Sequence, residues 1–220
     1  MRIDTGTHPR FADRQEAGRQ LAARLGGERV AGAVVVGLAR GGVEVAAEVA
    51  AEMRCPLDAL VVRKVGHPAQ PEFAIGAVTA DGGAYVSGDG GLPPQRLLAA
   101  VDDAQRRALQ LDRRLHGRVA EADIAGRPCI LVDDGVATGA TMRAAIDWAR
   151  RRDAARVLVA VPVAPRETAE RIRAQVERLV CLFVPVQFGA VGVWYDDFTE
   201  VPDLRVAELL EAASARAALR

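Results

Sequence analysis

The chain has 220 residues, half of them hydrophobic, with 29 acidic and 29 basic side chains. That much apolar material suffices for a sizeable core, and balanced charge argues against nucleic-acid or anionic-membrane partners. No apolar run is long enough to span a bilayer, no leader peptide is evident, and Cys55, Cys129 and Cys181 are too scattered for a metal or redox motif; a single cytoplasmic domain over 1–220 is expected.

In chain order, Asp13 and Glu16 have capping-box spacing ahead of a helix running to about Leu25, with Ala17, Leu21 and Leu25 on one face. Residues 33–38 form the first strong strand. Ala39-Arg40-Gly41-Gly42 follows, then a helix over about 43–52. This joint lacks the Gly-x-Gly-x-x-Gly spacing of dinucleotide sites and by itself reads as a tight turn carrying an arginine. Residues 57–62 form a second buried strand ending at Arg63-Lys64, a cation pair that either enters the crevice at the sheet's carboxyl edge or is solvated there. Lys64 is the only lysine in an arginine-rich chain, which reads either as a position that needs a compact ammonium or as drift in a biased genome.

Residues 65–87 are broken by Gly66, His67, Pro68, Pro71 and several glycines, and predict a mobile loop followed by a small hairpin, with His67 and Glu72 either solvated or carried into the site should the loop close. Leu97, Val101, Ala104, Ala108, Leu111 and Leu115 alternate at spacings of four and three, which predicts one long amphipathic helix whose stripe is core or a dimer seam. Strands at 130–132, 156–161 and 179–184 alternate with helices at 142–152 and 166–176, so a mainly parallel sheet wrapped on both faces is expected. Residues 187–198 concentrate aromatics in a chain that has few, and 204–219 closes as a helix.

The richest stretch is Ile130-Leu131-Val132-Asp133-Asp134-Gly135-Val136-Ala137-Thr138-Gly139-Ala140-Thr141. A buried strand, a small-residue turn and a helix N-terminus aim several backbone N–H groups at one point, which suits a phosphate. Thr138 and Thr141 add hydroxyl donors. The paired carboxylates repel a phosphate but suit a sugar diol, or a magnesium ion bound directly or through water.

This stretch resembles the phosphoribosyl pyrophosphate (PRPP) motif of type I phosphoribosyltransferases: a hydrophobic run, two acids, then Thr-Gly-x-Thr. The resemblance implies an α/β fold with a flexible loop or hairpin and a small C-terminal hood, the core over about 30–185 and the hood made by the N-terminal helix and about 186–220. It implies Mg2+-dependent transfer of a phosphoribosyl group from PRPP to a nitrogen nucleophile. Val136, Ala137, Thr138, Gly139, Ala140 and Thr141 would grip the 5′-phosphate, and Asp133 and Asp134 the ribose and metal side. Arg40, Gly41, Gly42 and Lys64 would receive pyrophosphate, in a loop whose backbone often contains a cis non-proline bond. With Asp133 and Asp134, Arg40 and Lys64 form the expected catalytic set. Trp194 or Tyr195 would stack on the acceptor, or else pack the hood against the N-terminal helix. Enzymes that salvage 6-oxopurines carry Asp where Ala137 stands here, so hypoxanthine and guanine are disfavoured. A PRPP-sensing regulator and a hydrolase of phosphorylated riboses are the alternatives, and a homodimer is the default expectation for association.

Overall fold

The computed structural model describes residues 10–26, 30–86, 91–117 and 119–218, with 71–73 described as backbone only. The expected entry of Glu72 into the site therefore lies outside the described side chains. In chain order the elements are α1 (Arg14–Leu25), β1 (Val34–Leu38), α2 (Gly41–Met53), β2 (Leu57–Leu60), β3 (Val62–His67), β4 (Gln70–Thr79), β5 (Ala84–Val86), α3 (Pro94–Leu115), β6 (Pro128–Val132), α4 (Ala140–Arg151), β7 (Arg156–Val163), α5 (Arg166–Arg173), β8 (Arg178–Phe183) and α6 (Asp203–Ala218).

Five strands form a parallel sheet in the order β2-β1-β6-β7-β8. Its strands are apolar on both faces, as a sheet covered twice requires. Val35, Ile130 and Val132 pack on one face with α1, α2 and α6, while Val34, Val36 and Leu131 pack on the other with α4 and α5. This is the expected α/β architecture.

The run 57–62 departs from the single buried strand expected for it. The chain leaves the parallel sheet after Leu60, the partner of Leu38. From Val62 it pairs antiparallel with β4, which pairs in turn with β5. The predicted loop is thus mostly a three-stranded sheet, and Arg63 and Lys64 lie within β3 rather than at the end of a parallel strand. The small sheet has two covered faces. Val65, Ile75 and Val78 meet Ala104 of α3, while Val62 and Ala77 join the cluster that contains α4. Composition reports that a segment prefers extended backbone, and is silent on which sheet it joins.

A buried polar cluster pins the far end of α3. His116, its C-cap, places Nε2 2.8 Å from Asp58 Oδ1 and Nδ1 3.2 Å from Asp112 Oδ1. Asp58 also accepts from the backbone N–H of Ala122 at 2.8 Å. Burial alone would lower the imidazole pKa, but the hydrogen bonds and charges of Asp112 and Asp58 outweigh it and push it from 6.5 up to about 10. A raised folded-state value stabilises fully below the unfolded value of 6.5, and that contribution is lost as pH rises through about 10. Unfolding free energy should therefore fall by up to about 1.4 kcal/mol per pH unit within that window. Urea titrations of wild type and His116→Gln between pH 6.5 and 9 test this. The variant is expected to show the flatter profile, and parallel profiles would remove the imidazolium from the account.

Candidate functional site

The strand order reverses direction at β1 and β6, because β1 leads into α2 on one face and β6 into α4 on the other. Open α/β sheets bind ligands at the carboxyl edge of such a switch point. Both loops singled out in the sequence, 39–42 and 133–141, lie there.

The two loops touch. A Cβ added at Gly42 would sit 2.7 Å from the carbonyl oxygen of Val132 and 2.9 Å from Cα of Asp133, and one at Gly41 would collide with Asp134 Oδ2. The glycine pair is thus required by close approach of the loops, in addition to opening a helix. The Ala39–Arg40 peptide bond is cis, the geometry that the resemblance implied. Helix α2 begins at Gly41 with no side-chain cap on its N-terminus.

Helix α4 likewise starts without a side-chain cap, from Gly139 at φ 86°, a conformation that few residues other than glycine adopt. Uncapped first-turn N–H groups and the positive end of the dipole are the features at Thr138–Thr141 that suit an anion. The loop is braced from behind. Val136 N–H donates to the Val163 carbonyl at 2.9 Å, and the buried Thr168 hydroxyl donates to the Ala137 carbonyl at 2.9 Å. Ala137 and Thr138 are themselves exposed, while Val136 is buried beneath them.

The acidic pair is partly enclosed. Asp133 Oδ1 accepts the backbone N–H of Asp134 at 2.9 Å, and Asp134 Oδ2 accepts from Arg14 Nε at 2.8 Å. Burial pushes both carboxyl pKa values up. The neighbouring Asp134 charge adds to this at Asp133, whereas the Arg14 guanidinium opposes it at Asp134. Asp134 is the member that pairs directly with Arg14, while Asp133, among the described residues, accepts only the Asp134 N–H and carries the larger burden of burial and like charge.

Arg14 has no signal in the sequence. It stands at the first position of α1, yet it is only 7% exposed. Its Nη1 donates to the Thr199 carbonyl at 2.8 Å, and its guanidinium carbon lies 3.9 Å from the ring centre of Phe198. One side chain thus ties the N-terminal helix, the acidic pair and the C-terminal segment together. No local spacing rule connects residue 14 with residue 134.

Arg40 lies at the site but is engaged, paired with Glu200 and, at 3.3 Å, with Asp203 Oδ1. Asp203 also accepts from Arg114 Nε at 3.0 Å. An incoming anion at Arg40 must exchange with these carboxylates. Lys64, from β3, lines a cavity of about 440 Å3 together with Thr138, Gly139 and Ala140.

Trp194 and Tyr195 do not offer a stacking platform. Each is 3% exposed, within a cluster with Phe11 and Val163. The Phe11 ring centre lies 5.4 Å from that of Tyr195, Trp194 Nε1 donates to the Phe188 carbonyl, and the Tyr195 hydroxyl donates to the Asp134 carbonyl at 2.6 Å. The rings fasten the C-terminal segment to the segment before α1, the packing alternative weighed from the sequence. Composition locates an aromatic cluster without showing which way its faces turn.

Among the described residues no group of three or more His, Cys, Asp or Glu could hold a metal. Two adjacent carboxylates still fit Mg2+, which commonly takes one or two carboxylates and completes its shell with water and substrate phosphates.

A model of the phosphoribosyl transferase domain matches residues 13–197. Two Mycobacterium tuberculosis proteins, from strains CDC 1551 / Oshkosh and H37Rv and each bearing the name "Putative phosphoribosyl transferase", are 43% identical over 207 residues, 92% of this chain and 47% of theirs. The chain thus spans about half the length of the curated relatives it matches. The crystal structure of TT1426 from Thermus thermophilus superposes with a TM-score of 0.80 at 41% identity, covering 91% of this chain and 97% of that one.

Proposed function

We infer that this chain, which belongs to the phosphoribosyl transferase domain family, transfers the 5-phosphoribosyl group of PRPP to a nitrogen nucleophile with release of pyrophosphate. The observation that carries this reading is the contact between the two loops, with Gly41 and Gly42 against Asp133 and Asp134 at one switch point. A donor that bears a phosphate at one end of a ribose and a pyrophosphate at the other needs two anion sites separated by a diol acceptor, and in this reading loop 136–141, the acidic pair and loop 40–42 serve as the three.

In the proposed complex the backbone of 136–141 and the Thr138 and Thr141 hydroxyls hold the 5′-phosphate. Asp133 and Asp134 accept from the ribose hydroxyls. Gly41 and Gly42, at the α2 N-terminus, receive the pyrophosphate with Arg40 and Lys64, and their positive charge stabilises it as it departs. Mg2+, when bound through the acidic pair, directly or through water, neutralises further pyrophosphate charge. Ala137 presents only a methyl group, so the loop offers no side-chain acceptor to a base at that position. An acceptor other than a 6-oxopurine is therefore proposed.

Calorimetric titration with PRPP, with and without Mg2+, followed by a pyrophosphate-release screen over nucleobases and small amines, tests the reading. Mg2+-dependent binding with release for one acceptor is the expected result; absence of binding under both conditions overturns it. Thr138→Val should weaken ribose 5-phosphate by about 1–3 kcal/mol, the cost of leaving a polar group unpaired. Unchanged affinity would remove that hydroxyl from the phosphate site.

A further inference from the structure

The cavity beside the phosphate loop is larger and more basic than a single phosphate requires. Its volume of about 440 Å3 falls in the range of small-molecule pockets, roughly 300–1,000 Å3. One wall is the loop itself, at Thr138 to Ala140, and the others come from α4, α5 and the β3–β5 sheet. The loop's uncapped N–H groups and hydroxyls can already serve the oxygens of one phosphate. Beyond them, three cations line the same space, Lys64, Arg143 and Arg171, and among the described residues no carboxylate does.

Two of these charges are left uncompensated. Lys64 and Arg143 form no ion pair with a described carboxylate. The guanidinium carbon of Arg143 lies 4.6 Å from the ring centre of Tyr85, which positions the cation without neutralising it. Arg171 pairs at 2.8 Å with Glu167, which is itself largely exposed, and donates to Thr168 Oγ1 at 3.0 Å. In a chain of balanced charge, a wall with three cations and no described carboxylate favours an anion that extends past the loop.

We propose that this cavity is a polyphosphate subsite: a nucleoside 5′-di- or triphosphate binds with its α-phosphate at Thr138–Thr141 and its outer phosphates among Arg143 and Arg171. The proposal rests on the phosphate-loop reading above. It makes nucleoside polyphosphates competitors of PRPP at a site whose proposed substrate carries only a monophosphate at that end.

The test is isothermal titration in metal-free, low-salt buffer with ribose 5-phosphate, AMP, ADP and ATP, so that within the nucleotides only the phosphate count changes. ATP is expected to bind about tenfold more tightly than AMP, a gain in keeping with a few partly exposed charge-assisted contacts. It should compete with ribose 5-phosphate, and its affinity should fall more steeply with salt than that of AMP. Arg143→Gln should lose most of the ATP increment while binding AMP as wild type does, which also reports that the variant is folded. Equal affinities for AMP and ATP, or an increment that survives Arg143→Gln, overturn this inference and leave the phosphate-loop reading standing. If ribose 5-phosphate and all three nucleotides fail to bind, both fall. The salt comparison is made on the wild-type chain and stands without the variant; equal slopes for AMP and ATP count against the subsite.

Discussion

Replacement of Asp133 by asparagine is expected to slow pyrophosphate release by about a hundred- to a thousandfold, the usual cost of removing a placed electrostatic group, while the protein stays as stable as before or becomes more so. The two effects separate because the charge that serves the ligand costs the empty protein. Burial and the adjacent Asp134 push the Asp133 pKa well above the ordinary 3.8. A carboxyl group with a raised folded-state pKa makes the protein lose stability as pH climbs from the unfolded value through the folded one. Asparagine removes that loss and can still accept the Asp134 N–H at Oδ1. Turnover and melting temperature of the two proteins at pH 7 provide the check. Wild-type turnover would exclude Asp133 from the site, and a clearly lower melting temperature would mean that its charge is compensated in the folded state. Near wild-type PRPP affinity in the double variant Asp133→Asn, Asp134→Asn would sink the assignment of both acids.

Arg14→Met should destabilise the protein by about 3 kcal/mol, at the lower end of what removing one partner from a buried ion pair costs. The side chains of Arg14 and Asp134 are 8% and 15% exposed, so the carboxylate left behind is poorly hydrated beside a second one. Urea unfolding measures the loss, and a value below about 1 kcal/mol would place the pair with ordinary surface ion pairs. Lysine should not restore the lost stability. The guanidinium donates through Nε to Asp134 and through Nη1 to Thr199 while covering the Phe198 ring, and a single ammonium cannot hold that geometry.

The expectation for 130–141 was legible because each of its requirements is local. A strand needs branched apolar residues, an uncapped helix start needs a small-residue turn, and a sugar–phosphate needs acids and hydroxyls a few residues apart. The stripe of 97–115 and the alternation after it were legible for the same reason, since helix and strand periods are written in neighbouring residues. Where the structure departs, the deciding partner is distant. Residues 57–62 are extended throughout, but the change of sheet after Leu60 depends on 70–79 as partner. Trp194 and Tyr195 are aromatic in either role, and their inward turn follows from Phe11, at the other end of the chain, and from Phe183 in β8.

By itself the sequence determined the α/β alternation, the phosphate-loop motif and the family resemblance, because all three rest on order and spacing along the chain. Tertiary structure alone decided that loops 39–42 and 133–141 touch, that Arg14 holds Asp134, that Arg40 is engaged with Glu200 and Asp203, and that Lys64, from a second sheet, shares a cavity with 138–140. Each of these joins residues tens of positions apart, where chain packing, rather than local conformational preference, sets the distance.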